Sequence, residues 1–264
     1  GNGLAIVAAR SYGAQDEDLL KKTVAGSLII GLAASVLITL AGLVGLHPLL
    51  VLLDTPAEIL EEAYGYIHII DLGVLVMFAY NLCAGLLRAI GNSVMPLVFL
   101  LISSALNVVL DILFIAYGGM GVRGAAVATV LSQGVSVVLC IFYIFAKTKI
   151  LLPEKKHFHI HKKLYWDLFS QSLSMGLMSS IVSAGSVVLQ YGINGLGTKV
   201  IAGHTAARKL FAFTDMPLIA MANAASTYVS QNYGAGKPER VRRGMRDIYL
   251  CCVVVAVLSV VLMQ

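Results

Sequence analysis

The chain has 264 residues, of which 58% are hydrophobic and 12% charged, with a mean hydropathy of +0.86 and a net charge of +5. A soluble domain carries about 25% charged residues, so a single soluble core is excluded because it could not hide this much apolar surface. The basic excess calls for no nucleic-acid partner, since basic loops beside anionic lipid account for it.

Runs without Asp, Glu, Lys or Arg cover residues 23–53, 89–110, 124–146, 168–198 and 248–264. About 20 apolar residues cross a bilayer as a helix. Only helices and closed barrels satisfy their own backbone in lipid. The runs are continuous rather than alternating, which selects helices.

Taken in order, residues 1–12 read as the end of a truncated span. Complete spans are predicted at 24–46, 60–87, 94–117, 125–146, 168–191 and 200–231, and a last one begins near Ile248. Turn signals divide them: Asp54-Thr55-Pro56, Gly91-Asn92 with Pro96, Gly118-Gly119, and Asn194-Gly195. Pro217 is expected to kink the span that holds it. The first residue is Gly rather than Met and already lies in an apolar segment, so the chain reads as an internal piece of a longer protein.

Lys and Arg divide unevenly between alternate loops. One set, from Arg10, Lys21 and Lys22 through Arg88 and the Lys147–Lys163 cluster to Lys237–Arg246, holds 15 of the 19 basic residues. The other holds Arg123 and Lys199 together with the acids Asp54, Glu58, Glu61 and Glu62. The positive-inside rule assigns the rich set to the cytoplasm and the acidic loop to the exterior of the plasma membrane.

The tripeptide Tyr12-Gly13-Ala14 returns as Tyr233-Gly234-Ala235, 221 positions later. At the same offset Asn2 matches Asn223, and Lys21-Lys22 matches Arg242-Arg243. Six complete spans separate the copies, and six is even, so both face one side and the repeat is parallel. The expected fold is an all-α integral membrane protein of two six-helix bundles, incomplete here. Residues 1–146 form the amino-terminal bundle without its first helix, 147–167 a basic cytoplasmic linker, and 168–264 the start of the carboxy-terminal bundle. Equal halves imply a whole of roughly 440 residues and about twelve spans.

Several short motifs occur in a fixed order: Leu87-Arg88-Ala89-Ile90-Gly91-Asn92-Ser93, Asn107 through Asp111, Gly121-Val122-Arg123-Gly124-Ala125-Ala126 with Ala128-Thr129, and Ser230-Gln231-Asn232-Tyr233-Gly234-Ala235-Gly236. In that order and spacing the chain resembles the multidrug and toxic compound extrusion (MATE) transporters, from their second helix to the start of their ninth. The resemblance implies secondary export of amphipathic, often cationic compounds, driven by inward flow of sodium ions or protons. It implies no enzymatic activity and no cofactor beyond the coupling ion. Partners would be the lipid bilayer and the small cationic or amphipathic cargo, with a monomer expected. A lipid-linked oligosaccharide flippase of the same superfamily is the alternative.

The residues themselves place a compatible site. Charged groups inside spans are costly and line cavities or pair. Asp111 lies about six residues from the outer end of its helix, roughly 9 Å deep. Asn107 shares its face one turn away, and Thr129 lies at similar depth on the next span. These three supply oxygen ligands suited to a hard cation, and Asp111 could instead carry a proton. The resemblance implies a cation or proton site at these same Asn, Asp and Thr positions. The competing role for Asp111 is a loop cap or an ion pair with Arg123. Asp71, with His68 one turn away, and Gln133, Gln190 and Asp215 are additional candidate cavity residues. Metal binding at His157, His159 and His161 is not expected, because no acid or Cys accompanies them; Cys83, Cys140, Cys251 and Cys252 read as packing residues.

Overall fold

A computed structural model describes residues 2–52, 57–159 and 161–262. The turn Asp54-Thr55-Pro56 lies outside the described residues. The described chain is helical throughout: α1 (Asn2–Gly13), α2 (Glu17–Leu52), α3 (Ala57–Leu72), α4 (Val74–Ala89), α5 (Val94–Asp111), α6 (Gly121–Lys147), α7 (Lys162–Asn194), α8 (Thr198–Gly234) and α9 (Pro238–Leu262). Among the described residues, five helices are long and apolar enough to cross a membrane, or six when the bent pair α3–α4 counts as one span. With these long apolar helices and their exposed rows of Leu, Val and Ile, this is a multi-pass membrane protein.

The predicted span 60–87 is two helices meeting at 46°. The break is at Gly73, where a Cβ would collide with the side chain of Val130 on α6. The bend thus rests on a close helix crossing that only glycine permits. The predicted span 200–231 is the 37-residue helix α8. With Arg208, Lys209 and Asp215 along it, it is not among the helices apolar enough to count as a span. Pro217 lies inside it, and the helix continues on both sides of the proline.

Asn92 initiates α5 by accepting the Met95 N–H on its side-chain oxygen at 3.2 Å, and Pro96 sits in the first turn, where its missing N–H costs nothing. After Asp111 the helix loosens into a π-helical segment, Ile112–Tyr117, closed by the Gly118 N–H donating to the Leu113 carbonyl at 2.8 Å.

Between α6 and α7 the chain makes two 3-10 turns, Lys149–Leu151 and Lys155–Phe158. Leu151 is buried in the main apolar cluster with Leu20, Leu87 and Leu168. His157 is 2% exposed. Its Nδ1 accepts the Glu154 N–H at 2.8 Å, so Nε2 carries the proton and donates to Asp18 at 3.1 Å. The histidine therefore pins this segment to α2. We call the end of the bundle where it lies the linker end.

The repeat has a physical counterpart there. A Cβ on Gly13 would overlap the backbone of Gln231, and a Cβ on Gly234 would overlap the backbone carbonyl of Arg10. Arg10 and Gln231 are themselves 221 positions apart, so the two contacts are one contact exchanged by a pseudo-two-fold. Two grooves flank it. One of about 660 Å³ is lined by Tyr12, Gly13, Gln231 and Asn232; the other, about 600 Å³, is lined by the matching Tyr233, Gly234, Arg10 and Ser11. Farther from the linker end, Asn2 and Asn223 line one cavity. The helices α1 and α8 thus run side by side in the same direction, and the pseudo-axis runs along them, as a parallel repeat requires.

Candidate functional site

The helices α5 and α6 are antiparallel and registered by two side-chain bonds. Ser103 donates to the Ser132 carbonyl at 2.8 Å, and Ser136 donates to the Phe99 carbonyl at 3.0 Å. In that register Asn107 is level with Ala128 and Thr129, and Asp111 is level with Gly124. The inward row of α5 is Ser103, Asn107, Leu110 and Asp111, continued by Phe114 in the π-helical segment, with steps of three and four from Asn107 as one helical face requires. On α6, Thr129 and Gln133 fall between the face that carries Ser132 and the face that carries Val130, and both are half-buried.

Asn107 Nδ2, Asp111 Oδ1 and Gln133 Oε1 are buried without a hydrogen-bond partner among the described residues. Thr129 donates to the Ala125 carbonyl at 2.9 Å, which leaves its oxygen lone pairs free to accept a cation or proton donor. The competing ion pair between Asp111 and Arg123 is not formed. Arg123 instead lies against Gly65 on α3.

Asp71 stands apart from this group. Its carboxylate rests on Gly42 of α2, its Oδ2 is buried and unpartnered, and its carbonyl accepts the Thr39 hydroxyl at 3.1 Å. His68 stacks on Tyr64 with centroids 5.4 Å apart, and Tyr64 meets the edge of His47 at 5.6 Å. Gln190 on α7 and Asp215 on α8 are half-buried and belong to the other half of the repeat. Arg208 and Lys209 are exposed.

Two residues were not legible as site residues. His204 Nε2 is buried without a partner among the described residues. Arg88, which the loop count treats as a loop cation, lies in the last turn of α4. It lines a small cavity of about 30 Å³ with Asn2, Asn223, Ser226 and Thr227. A neighbouring cavity of about 340 Å³ shares Asn2 and Met175 and adds Phe78, Asn81, Ser172 and Ser179. The matching of Asn2 with Asn223 across the repeat was the one signal that could have led there.

The family model described as MatE matches residues 1–113 and 175–264. The probable multidrug resistance protein YpnP of Bacillus subtilis is 34% identical over 197 residues, covering 73% of this chain and 43% of that protein. The probable multidrug resistance protein YoeA of the same organism is 26% identical, covering 99% of this chain and 58% of that protein. The chain thus spans about half the length of these curated relatives. In fold it is similar to a crystal structure of MATE in the straight conformation, with a TM-score of 0.88 at 24% identity over 99% of this chain and 59% of that one. The family model covers more than half of the chain, and the chain belongs to the MatE family.

Proposed function

We propose that this chain works within a secondary active transporter that exports amphipathic or cationic drugs and toxic compounds by sodium- or proton-coupled antiport with alternating access. The observation that carries the reading is the row of unpartnered polar atoms on α5 and α6, Asn107 Nδ2, Asp111 Oδ1 and Gln133 Oε1. Burying such atoms without partners costs free energy. For the two oxygens, Asp111 Oδ1 and Gln133 Oε1, that cost is relieved when a cation binds or a proton arrives, whereas the Asn107 amide nitrogen calls for an acceptor. An ion that does so in one conformation and not the other shifts their balance, because a ligand moves an equilibrium only through differential affinity.

In this reading Asn107, Asp111 and Thr129 hold the coupling ion, and Asp71, Gln133, Gln190 and Asp215 line additional cavity surface. Residues 1–146 and 168–264 belong to the two bundles, and 147–167 is a linker on the cytoplasmic side of the plasma membrane. The molecule acts as a monomer. The drug-export names of the relatives favour this cargo over a lipid-linked oligosaccharide.

The test uses the full-length protein in vesicles, with a sodium gradient and a pH gradient imposed separately. Efflux driven by one gradient and lost in Asp111→Asn, per folded molecule, supports the reading. Efflux that survives Asp111→Asn unchanged removes Asp111 from the coupling site.

A further inference from the structure

The small cavity between the halves has an unusual donor balance. Arg88 lines it; its carbonyl accepts the Gly91 N–H at 2.9 Å, but its side chain forms no ion pair or hydrogen bond among the described residues. Arginine keeps its charge in any protein environment. A cation inside a membrane protein lines a pathway or finds a partner, and here no partner is present. The other polar lining groups are the amides of Asn2 and Asn223 and the hydroxyls of Ser226 and Thr227. Thr227 already donates to the Asn223 carbonyl at 3.3 Å. No Asp or Glu lines this cavity or the adjoining one among the described residues.

Asn2 and Asn223 are repeat mates, so they bring two amides to the pseudo-axis from opposite sides. A guanidinium, two amide NH₂ groups and a free hydroxyl form a donor set that suits an oxyanion. The volume is small, about 30 Å³, room for about one or two water molecules. It admits a carboxylate head but not a ring system. The adjoining cavity of about 340 Å³ supplies space for a molecular body against Phe78 and Met175, an aromatic face and an adaptable thioether.

We propose that Arg88, Asn2, Asn223 and Ser226 form an oxyanion subsite at the floor of the crevice between the halves, which takes the carboxylate of a zwitterionic or anionic amphipathic cargo. The inference rests on the export reading for its purpose and extends its cargo beyond simple cations. It places cargo charge and coupling charge apart, the first between the halves and the second within the α5–α6 interface.

The plain alternative is that Arg88 only offsets the α4 helix dipole from its last turn. A matched pair of dyes separates the two. Rhodamine 19 has a free carboxylate, and rhodamine 6G is its ethyl ester. Fluorescence polarisation measures the affinity of each for purified full-length protein in nanodiscs. In Arg88→Gln the acid is expected to weaken by about tenfold or more, as loss of a charge-assisted bond implies, while the ester is unchanged. Arg88→Lys should restore part of the difference. Ser226→Asp puts an anion beside Arg88 and should expel the acid while sparing the ester; it serves as the test if Arg88→Gln does not fold. Equal changes for both dyes, or no change for either, overturn the subsite. A lower melting temperature with an unaltered acid-to-ester ratio also overturns it, in favour of the dipole role. Failure of the export reading would appear elsewhere, as gradient-loaded vesicles that move neither dye, and would leave this binding comparison intact.

Discussion

The exchanged contact between α1 and α8 gives a quantitative prediction. In Gly13→Ala the new methyl would overlap the Gln231 backbone, and in Gly234→Ala it would overlap the Arg10 carbonyl. Neither obstacle is a flexible side chain, so the helices must separate. Overpacking of this kind costs about 1–3 kcal/mol. The cost falls on the arrangement closed at the linker end, so its population relative to an open one should drop by about 5- to 150-fold. A cysteine at Asn232, which lines the groove beside the contact, reports this opening through its labelling rate with a membrane-impermeant thiol reagent, in a background where Cys83, Cys140, Cys251 and Cys252 are replaced. Each single variant should label faster and melt lower. The double variant should cost less than the two singles added, because once one methyl has parted the helices the second finds room. Gly45→Ala is the control: no atom lies within 4 Å of the new methyl, and the exchange should be neutral or slightly stabilising in a helix. Unchanged labelling and melting in Gly13→Ala, or strict additivity in the double variant, would refute a shared symmetric contact.

Asp111→Asn should leave the melting behaviour and membrane yield of the full-length protein near wild type while abolishing gradient-driven efflux; a fall in yield with normal efflux per molecule would assign it a purely structural role. Lys156→Cys should be labelled by an impermeant reagent only after cells are opened, and efficient labelling from outside would reverse the proposed orientation. His157→Ala removes the bond from the Glu154 N–H and the contact to Asp18, and should destabilise the linker end by about 1–3 kcal/mol, read as earlier proteolysis between α6 and α7. The Lys156 ammonium beside Glu154 holds its carboxyl below the ordinary range. A depressed folded value means a contribution present above the unfolded pKa and lost as pH falls through the folded one. Protease sensitivity of this segment should therefore rise on acidification, with a smaller rise in Glu154→Gln, and the same rise in both would exclude the ion pair as its cause.

Hydropathy and punctuation were enough to reveal the spans, because lipid leaves few alternatives to a helix of sufficient length. The repeat was legible for a different reason. Gly13 and Gly234 are required by backbone approach, which tolerates no side chain, so the constraint is visible as matched letters. What stayed hidden depends on neighbours distant in sequence. Gly73 reads as an ordinary glycine within an apolar run until Val130 of α6 is placed against it. Arg123 offered itself as a partner for Asp111, and only packing against Gly65 removes it. Arg88 shows the limit most clearly. Counting charges by loop assigns it an address on the linker side, and its helix does end there. A side chain in the last turn of a helix leans back along the preceding turn, so an arginine credited to the loop can serve the crevice instead. Orientation statistics and site chemistry draw on the same residue, and the first hides the second. In a repeat protein the residues that meet their own mates, here Asn2 with Asn223, mark the axis; a charge lying on that axis without a partner is the one to follow.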